Sequence, residues 1–218
     1  MNKCVVVGAG DCNSMLLRKK MVLQQGDLCI AADRGLEYLL EIGVIPNLII
    51  GDMDSVKPEI LTQQLEHSDK ISIRQLPVEK DDTDMLAAIK EGLIRGYKIF
   101  ELYGALGGRI DHTIANIQCL LYLLNHKARG ILIGKDTNIL LIRNEKITFT
   151  AQEHKAGKLL SIFAYGQDAI GVTENGLKYS LQDAIVKQEF PIGISNQFTG
   201  TDAMIQVKEG MLLICVED

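Results

Sequence analysis

The chain has 218 residues, 47% of them hydrophobic, and carries 23 Lys and Arg against 28 Asp and Glu for a formal net charge of -5. That length and apolar content build one large domain or two small ones and exclude disorder as the main state. The acidic balance excludes a protein whose affinity comes from neutralising nucleic-acid phosphates, because that term needs clustered Lys and Arg.

From residue 1 to about 135, short apolar runs alternate with helical patterns. CVVVG (4–8), LCIAA (28–32), NLIIG (47–51), KISIRQL (70–76), KIFELYG (98–104) and GILIG (130–134) read as strands covered on both faces. In TDMLAAIKEGLIRG (83–96), Met85, Leu86, Ile89, Leu93 and Ile94 predict the inward stripe of a helix, capped by Asp82 or Thr83 and stopped at Gly96. In HTIANIQCLLYLLNH (112–126), Ile114, Ile117, Leu120, Leu121 and Leu124 predict another. Strand and helix alternating in this way imply right-handed crossovers and a mainly parallel, helix-flanked, Rossmann-like sheet.

Beyond residue 135 the period changes. NILLI, KITFT, KLLSIFA, AIGVT, GLKYSL, AMIQV and MLLICV are short runs punctuated by Gly157, Gly166, Gly171, Gly176, Gly200 and Gly210, which predicts an antiparallel β-sandwich or barrel without helices. The chain therefore divides into an α/β domain over 1–135 and a β-sandwich domain over 136–218, joined by a short turn at Lys135 and Asp136. The five cysteines are odd in number and hold no C-x-x-C pair, so they form neither a disulfide framework nor a zinc spacing and read as reduced. MNKCVVVGAGD is too short an apolar start for a signal peptide, and no run reaches the roughly 18 to 20 apolar residues of a membrane span. A cytoplasmic protein is expected.

The acidic residues collect after the predicted strands. Asp33 follows LCIAA, Asp52 and Asp54 follow NLIIG, Asp81, Asp82 and Asp84 follow KISIRQL, and Asp111 follows KIFELYG through a Gly-rich turn. The carboxyl edge of an open parallel sheet is where ligands bind, so four loops should carry carboxylates to one crevice. So many close negative charges call for a divalent cation, and magnesium takes one or two carboxylates together with waters and phosphate oxygens.

GALGGRIDHTIAN (104–116) adds the donors. Gly104, Gly107 and Gly108 would let backbone approach a ligand, the turn enters a helix whose first N–H groups can hold phosphate oxygens, and Arg109 supplies a permanently charged fork. His112 can serve as an acid or base, or can orient its neighbour Asp111. His67, His126 and His154 read as surface residues. Two other glycine motifs are incomplete. GAGD (8–11) follows the first strand but has Asn13 where a dinucleotide fingerprint needs its third glycine, so it stays a candidate phosphate-side loop only, whereas GILIGKD is rejected, being one residue short of a P-loop with Asp136 where Ser or Thr belongs.

Together AADRGLEYLLEIGVIPNLIIGDMDSV, KDDTDMLAAI and GALGGRIDHTIANI resemble the signature blocks of the thiamine pyrophosphokinase family in order and spacing, and GLKYSL and GISNQF resemble its thiamine-side segments. The resemblance implies a homodimeric enzyme that uses ATP and magnesium, releases AMP, and binds thiamine between subunits, with no nucleic-acid or membrane partner. It implies Asp52, Asp54, Asp81 and Asp84 as ligands of magnesium and the transferring phosphates. Asp33, Arg34, Gly35, Thr83, Gly104, Gly107, Gly108, Arg109, His112 and Asn116 would surround ATP. Asp111 would sit between the substrates, and Ser195 and Asn196 would line the thiamine pocket. The chain departs from the family in having Arg34 before Gly35 where two glycines are common, and in lacking Trp, so that Tyr179 or Phe198 would stack on the thiamine ring.

The implied reaction is in-line attack of the thiamine hydroxyl on the β-phosphorus of ATP, with Asp81 or Asp111 taking the proton. A rival enzyme class is a haloacid dehalogenase-type phosphatase, since LIIGDMDSV resembles its strand followed by D-x-D-x-V, although that motif normally ends the first strand and here ends the third. A non-catalytic nucleotide- or thiamine-binding regulatory module is the third reading, disfavoured by so many clustered carboxylates.

Overall fold

A computed structural model describes residues 1–51, 72–75 and 81–218 of the chain. Asp52 and Asp54, the two residues on which the magnesium expectation leans most, lie outside the described residues, as do His67 and the ends of KISIRQL. The chain folds as two compact units, Met1–Lys135 and Asp136–Asp218.

In the first unit the elements run Cys4–Val7 (β1), Ser14–Lys20 (α1), Leu28–Ala32 (β2), Gly35–Glu41 (α2), Leu48–Gly51 (β3), Ser72–Gln75 (β4), Asp84–Ile94 (α3), Ile99–Tyr103 (β5), Ile110–Asn125 (α4) and Arg129–Ile133 (β6). The strand order is β6-β5-β1-β2-β3-β4 and every neighbouring pair is parallel. Every residue of β1, β2 and β3 is buried, as continuous apolar runs require when helices cover both faces. β4 departs from that expectation: it ends the order, and Ser72, Ile73 and Arg74 are exposed. Chain order reverses between β1 and β5, which makes the gap beyond their carboxyl ends the switch point where open α/β sheets bind ligands.

Both predicted helices form, with rotated inner faces. α3 is capped by Thr83, whose Oγ1 accepts from Leu86 N at 3.2 Å, and is followed by Gly96 at φ +88. It buries Met85, Ala88, Ile89 and Gly92 and leaves Ile94 exposed. The reason is close approach to the sheet: a Cβ on Gly92 would lie 2.6 Å from Phe100 Cε1 and 2.8 Å from Cys4 Sγ. α4 likewise buries Asn116, Cys119, Leu120 and Leu123, and exposes Ile114.

The second unit contains Thr137–Arg143 (β7), Lys146–Phe149 (β8), Leu159–Ala164 (β9), Ala169–Asn175 (β10), Leu181–Val186 (β11), Asn196–Gln197 (β12), Ala203–Gln206 (β13) and Met211–Glu217 (β14). Antiparallel sheets β12-β9-β14-β7 and β11-β10-β13-β8 share one core, which includes Ile142, Leu160, Ile162, Leu212 and Ile214 from the first and Phe149, Val172, Val186 and Ile205 from the second. GLKYSL is not the strand its apolar pattern predicts. Only Leu181 enters β11, because both backbone groups of Tyr179 are taken by the Asn196 side chain instead of a ladder partner. Among the described residues no helix is long and apolar enough to cross a membrane.

Candidate functional site

A cleft of about 660 Å³ lies beyond the carboxyl ends of β1, β2 and β5. Three loops and two helix starts wall it: Gly8 to Asp11 after β1, Asp33 and Arg34 after β2, Gly104 to Arg109 after β5, Thr83 and Asp84 at the start of α3, and His112 and Asn116 on α4.

The first and third loops are joined through backbone. Gly8 N donates to Tyr103 O at 2.8 Å, Gly10 N to Gly104 O at 2.9 Å and Asp11 N to Leu106 O at 3.2 Å, so β1–β5 pairing continues past the strands into the cleft wall. This explains the glycines in a way the sequence did not suggest. Gly104 sits at φ +62, and a Cβ there would lie 2.3 Å from Gly8 O; Gly107 sits at φ +80, and its Cβ would lie 2.6 Å from Asp11 Cβ. Both serve the loop-to-loop approach. Gly108, at φ +66, has nothing within 4 Å of an added Cβ and fits the expectation of open backbone. Asn116 locks the same wall, its buried Nδ2 donating to Ala105 O at 2.8 Å.

The expected nucleotide-side residues are distributed unequally. Asp33, Arg34, Thr83, Asp84, Gly104, Gly107, Gly108, Arg109, His112 and Asn116 line the cleft. Gly35 does not; it is buried where its Cβ would lie 1.8 Å from Val7 O, so its glycine permits α2 to start against β1. Asp81 is exposed and does not line the cleft, and Asp82 is bound through both oxygens to Lys90 Nζ at 2.7 Å. Arg109 and Asp111 are exposed and paired: Nε donates to Oδ1 at 3.1 Å and Nη2 to Oδ2, while His112 N donates to Oδ1 at 3.0 Å. The Arg109 guanidinium, with help from the His112 N–H, holds the Asp111 carboxyl at about 2. GAGD, incomplete as a dinucleotide fingerprint but a candidate phosphate-side loop, lies at the cleft, where Gly8, Ala9, Gly10 and Asp11 all line the wall. The usable signal was a Gly-rich turn at the end of the first strand, whatever its match to a dinucleotide fingerprint. Tyr38 of α2 also lines the cleft, with its hydroxyl 3.5 Å from Gly10 O, and was not foreseen.

In the second unit Tyr179 is exposed and Phe198 is buried. Phe198 stacks on His154 with ring centroids 4.8 Å apart and meets Phe149 edge-on, so His154 is a packed residue and not the surface one its sequence context suggests. Of the two aromatic rings expected to stand in for Trp, only that of Tyr179 belongs to an exposed residue, with Lys178 Nζ over its ring 5.4 Å from the centroid. Ser195 is exposed at φ +59, and its N–H donates to Ser161 Oγ at 3.0 Å; Asn196 is buried.

The first unit is thus a doubly wound α/β domain of the class that binds small ligands at a topological switch point, followed in the chain by an antiparallel β unit. The family model for "Thiamin pyrophosphokinase, catalytic domain" matches residues 20–132, and that for "Thiamin pyrophosphokinase, vitamin B1 binding domain" matches residues 145–212. The chain belongs to the thiamin pyrophosphokinase family. It is 27% identical over 187 residues to the thiamine pyrophosphokinase of Bacillus subtilis (strain 168), covering 86% of each chain. It is 31% identical over 157 residues to thiamine pyrophosphokinase 2 of Oryza sativa subsp. japonica, covering 70% of this chain and 58% of that one. The crystal structure of the Bacillus subtilis enzyme superposes with a TM-score of 0.88 at 24% identity, over 100% of this chain and 99% of that one. Thiamin pyrophosphokinase from Candida albicans superposes at 0.78 with 18% identity, over 99% and 88%, and these likenesses establish a shared fold. Neither the phosphatase nor the non-catalytic reading is favoured beside them.

Proposed function

We propose that this chain transfers the pyrophosphoryl group of ATP to the hydroxyl of thiamine, giving thiamine pyrophosphate and AMP. The observation that carries the reading is the coexistence, in one chain, of both family domains with a glycine-walled cleft at the switch point of the first. ATP would occupy that cleft, its phosphates meeting the loop backbone and the start of α4. Arg109 would contribute its two Nη1 donors and the second Nη2 hydrogen, since Nε and one Nη2 hydrogen are engaged by Asp111. Asp111, whose carboxyl Arg109 holds low, suits orienting Arg109, and the hydroxyl proton would pass to Asp81 or Asp111.

Magnesium would neutralise charge on the transferring phosphates. Among the described residues no cluster of three or more His, Cys, Asp or Glu could hold a metal. Two carboxylates with waters and phosphate oxygens suffice for magnesium, and Asp84 at the cleft supplies a hard oxygen donor. The fit therefore rests on Asp52 and Asp54, with Asp84 and Asp81 beside them in the proposed set. Thiamine would meet Tyr179, Ser195 and Asn196 in a cytoplasmic homodimer, bound where subunits join. Phe190, Ile192 and Ile194 are each more than half exposed, a short apolar segment of the kind that partners cover.

A coupled AMP assay with and without thiamine tests the reaction. AMP release that depends on thiamine and magnesium is expected, and Asp52→Asn or Asp54→Asn should lower it by about 100-fold or more with the fold retained. Near-normal AMP release by both variants would defeat the metal assignment, and orthophosphate release from phosphomonoesters would favour the phosphatase.

A further inference from the structure

Glu174, on β10, is the one buried acidic side chain among the described residues, 2% exposed. Its strand partners are Leu181 of β11 and Ile205 of β13. Oε2 accepts from Asn196 Nδ2 at 3.4 Å, and Oε1 has no hydrogen-bond partner among the described residues. Burial pushes the carboxyl up to about 7, with the Asn196 hydrogen bond pulling the other way. An apolar side chain of similar volume would serve the core better, because a half-satisfied carboxyl buried in it is destabilising. Stability therefore does not account for Glu174.

Its effect on Asn196 does. The Asn196 Oδ1 accepts the N–H groups of Tyr179 and Gln197, each at 2.9 Å, while Nδ2 donates to Tyr179 O at 2.6 Å and to Glu174. Turned over, the amide would set NH2 hydrogens against two N–H groups and its oxygen against a carbonyl and a carboxyl. Glu174 supplies the acceptor that completes the observed orientation from inside the core. Asn196 in turn holds both backbone groups of Tyr179, a residue that is 61% exposed. The neighbouring residues are tied separately, Lys178 N to Gln197 O at 2.9 Å and Gly176 O to Thr199 Oγ1 at 2.8 Å.

We propose that Glu174 is a positioning residue for the thiamine pocket: by orienting the Asn196 amide it holds the Tyr179 backbone, and with it the origin of that exposed side chain, in place. This rests on the reading of Tyr179 and Asn196 as thiamine-side residues. The test compares Glu174→Met, which removes the acceptor, with Glu174→Gln, which keeps an acceptor oxygen, in the full-length chain. In Glu174→Met the KM for thiamine should rise about tenfold, equivalent to ~1.4 kcal/mol, with the KM for ATP changed by less than about twofold. Hydrogen exchange at the Tyr179 and Gln197 amides should accelerate by about tenfold or more, and Tm should not fall. Glu174→Gln should stay within about threefold of wild type in both KM values and in the exchange rates.

An unchanged KM for thiamine in Glu174→Met overturns the proposal. So does a general loss, with Tm down and both KM values raised alike, which marks a purely structural residue. A wild-type chain that forms no AMP with thiamine defeats the proposed function instead. The exchange measurement needs no substrate and then decides the Asn196 lock by itself: faster exchange in Glu174→Met sustains it and unchanged exchange refutes it.

Discussion

Gly104 and Gly108 have nearly the same backbone conformation, φ +62 and +66, and different surroundings, so alanine at each separates conformational strain from contact. Either substitution forces an L-residue into the left-handed region at a cost of about 1 kcal/mol. At Gly108 that is the whole effect, because nothing lies within 4 Å of the new Cβ. At Gly104 the Cβ would lie 2.3 Å from Gly8 O and 2.9 Å from Gly8 C, backbone atoms that move only if the loop moves. Separating the loops endangers the hydrogen bonds Gly8 N to Tyr103 O and Gly10 N to Gly104 O, each worth about 1 kcal/mol. Gly104→Ala should therefore destabilise the first unit by about 3 kcal/mol, and Gly108→Ala by about 1 kcal/mol. Urea unfolding followed by circular dichroism measures both, and the KM for ATP should rise much more for Gly104→Ala. Equal losses at the two positions would refute the loop-to-loop account of this wall.

Burial raises the Cys12 thiol to about 11, so iodoacetamide at pH 8 should leave Cys12 unlabelled until the chain is unfolded in urea; rapid labelling of the native Cys12 peptide would contradict its place in the core. Glu174 makes stability depend on pH. Its folded value near 7 lies above the ordinary 4.5, so the folded state binds a proton that the unfolded state has released between these values. The favourable contribution is fully present below about pH 4.5 and disappears as pH rises through about 7, a change of up to about 3 kcal/mol. The Tm of Glu174→Gln, which does not titrate there, should gain on wild type by several degrees between pH 5 and pH 9, and a constant difference would mean that the carboxyl is not desolvated.

The parallel sheet was legible because its central strands are apolar on both faces, and residue type alone marks such runs. The helix faces were less so. Weighting Leu and Ile pointed to Ile94 and Ile114, which are exposed, whereas the small or polar residues Ala88, Gly92, Asn116 and Cys119 face inward, Gly92 because the side chains of Phe100 and Cys4 leave no room for a Cβ. Carboxylates beyond strand ends located the cleft edge, but Asp82 is spent on Lys90 and Asp111 on Arg109, pairings that sequence spacing does not reveal. GLKYSL misled for a similar reason: a buried asparagine from a distant segment satisfies its backbone, so an apolar alternation that usually marks a strand marks a bend. The choice between Tyr179 and Phe198 needed burial, which the sequence of an all-β region scarcely encodes for single aromatic residues.

The charges around the cleft explain why the proposed chemistry calls for a cation. Asp11, Asp33 and Asp84 line the cleft opposite two arginines, and one of these, Arg109, is already paired with Asp111. A polyphosphate entering without a counterion would meet these carboxylates as well as the arginines, in a chain that is acidic as a whole. The N–H groups of Gly8, Gly10 and Asp11 are already given to carbonyls of the facing loop, and the partial positive charge at the start of α4 does not move with the ligand. A magnesium ion carried with the phosphates would convert the same carboxylates from a repulsive lining into ligands or hydrogen-bond acceptors for its waters. Under the proposed function, the aspartates of the cleft would therefore favour a metal-bound polyphosphate over a bare one.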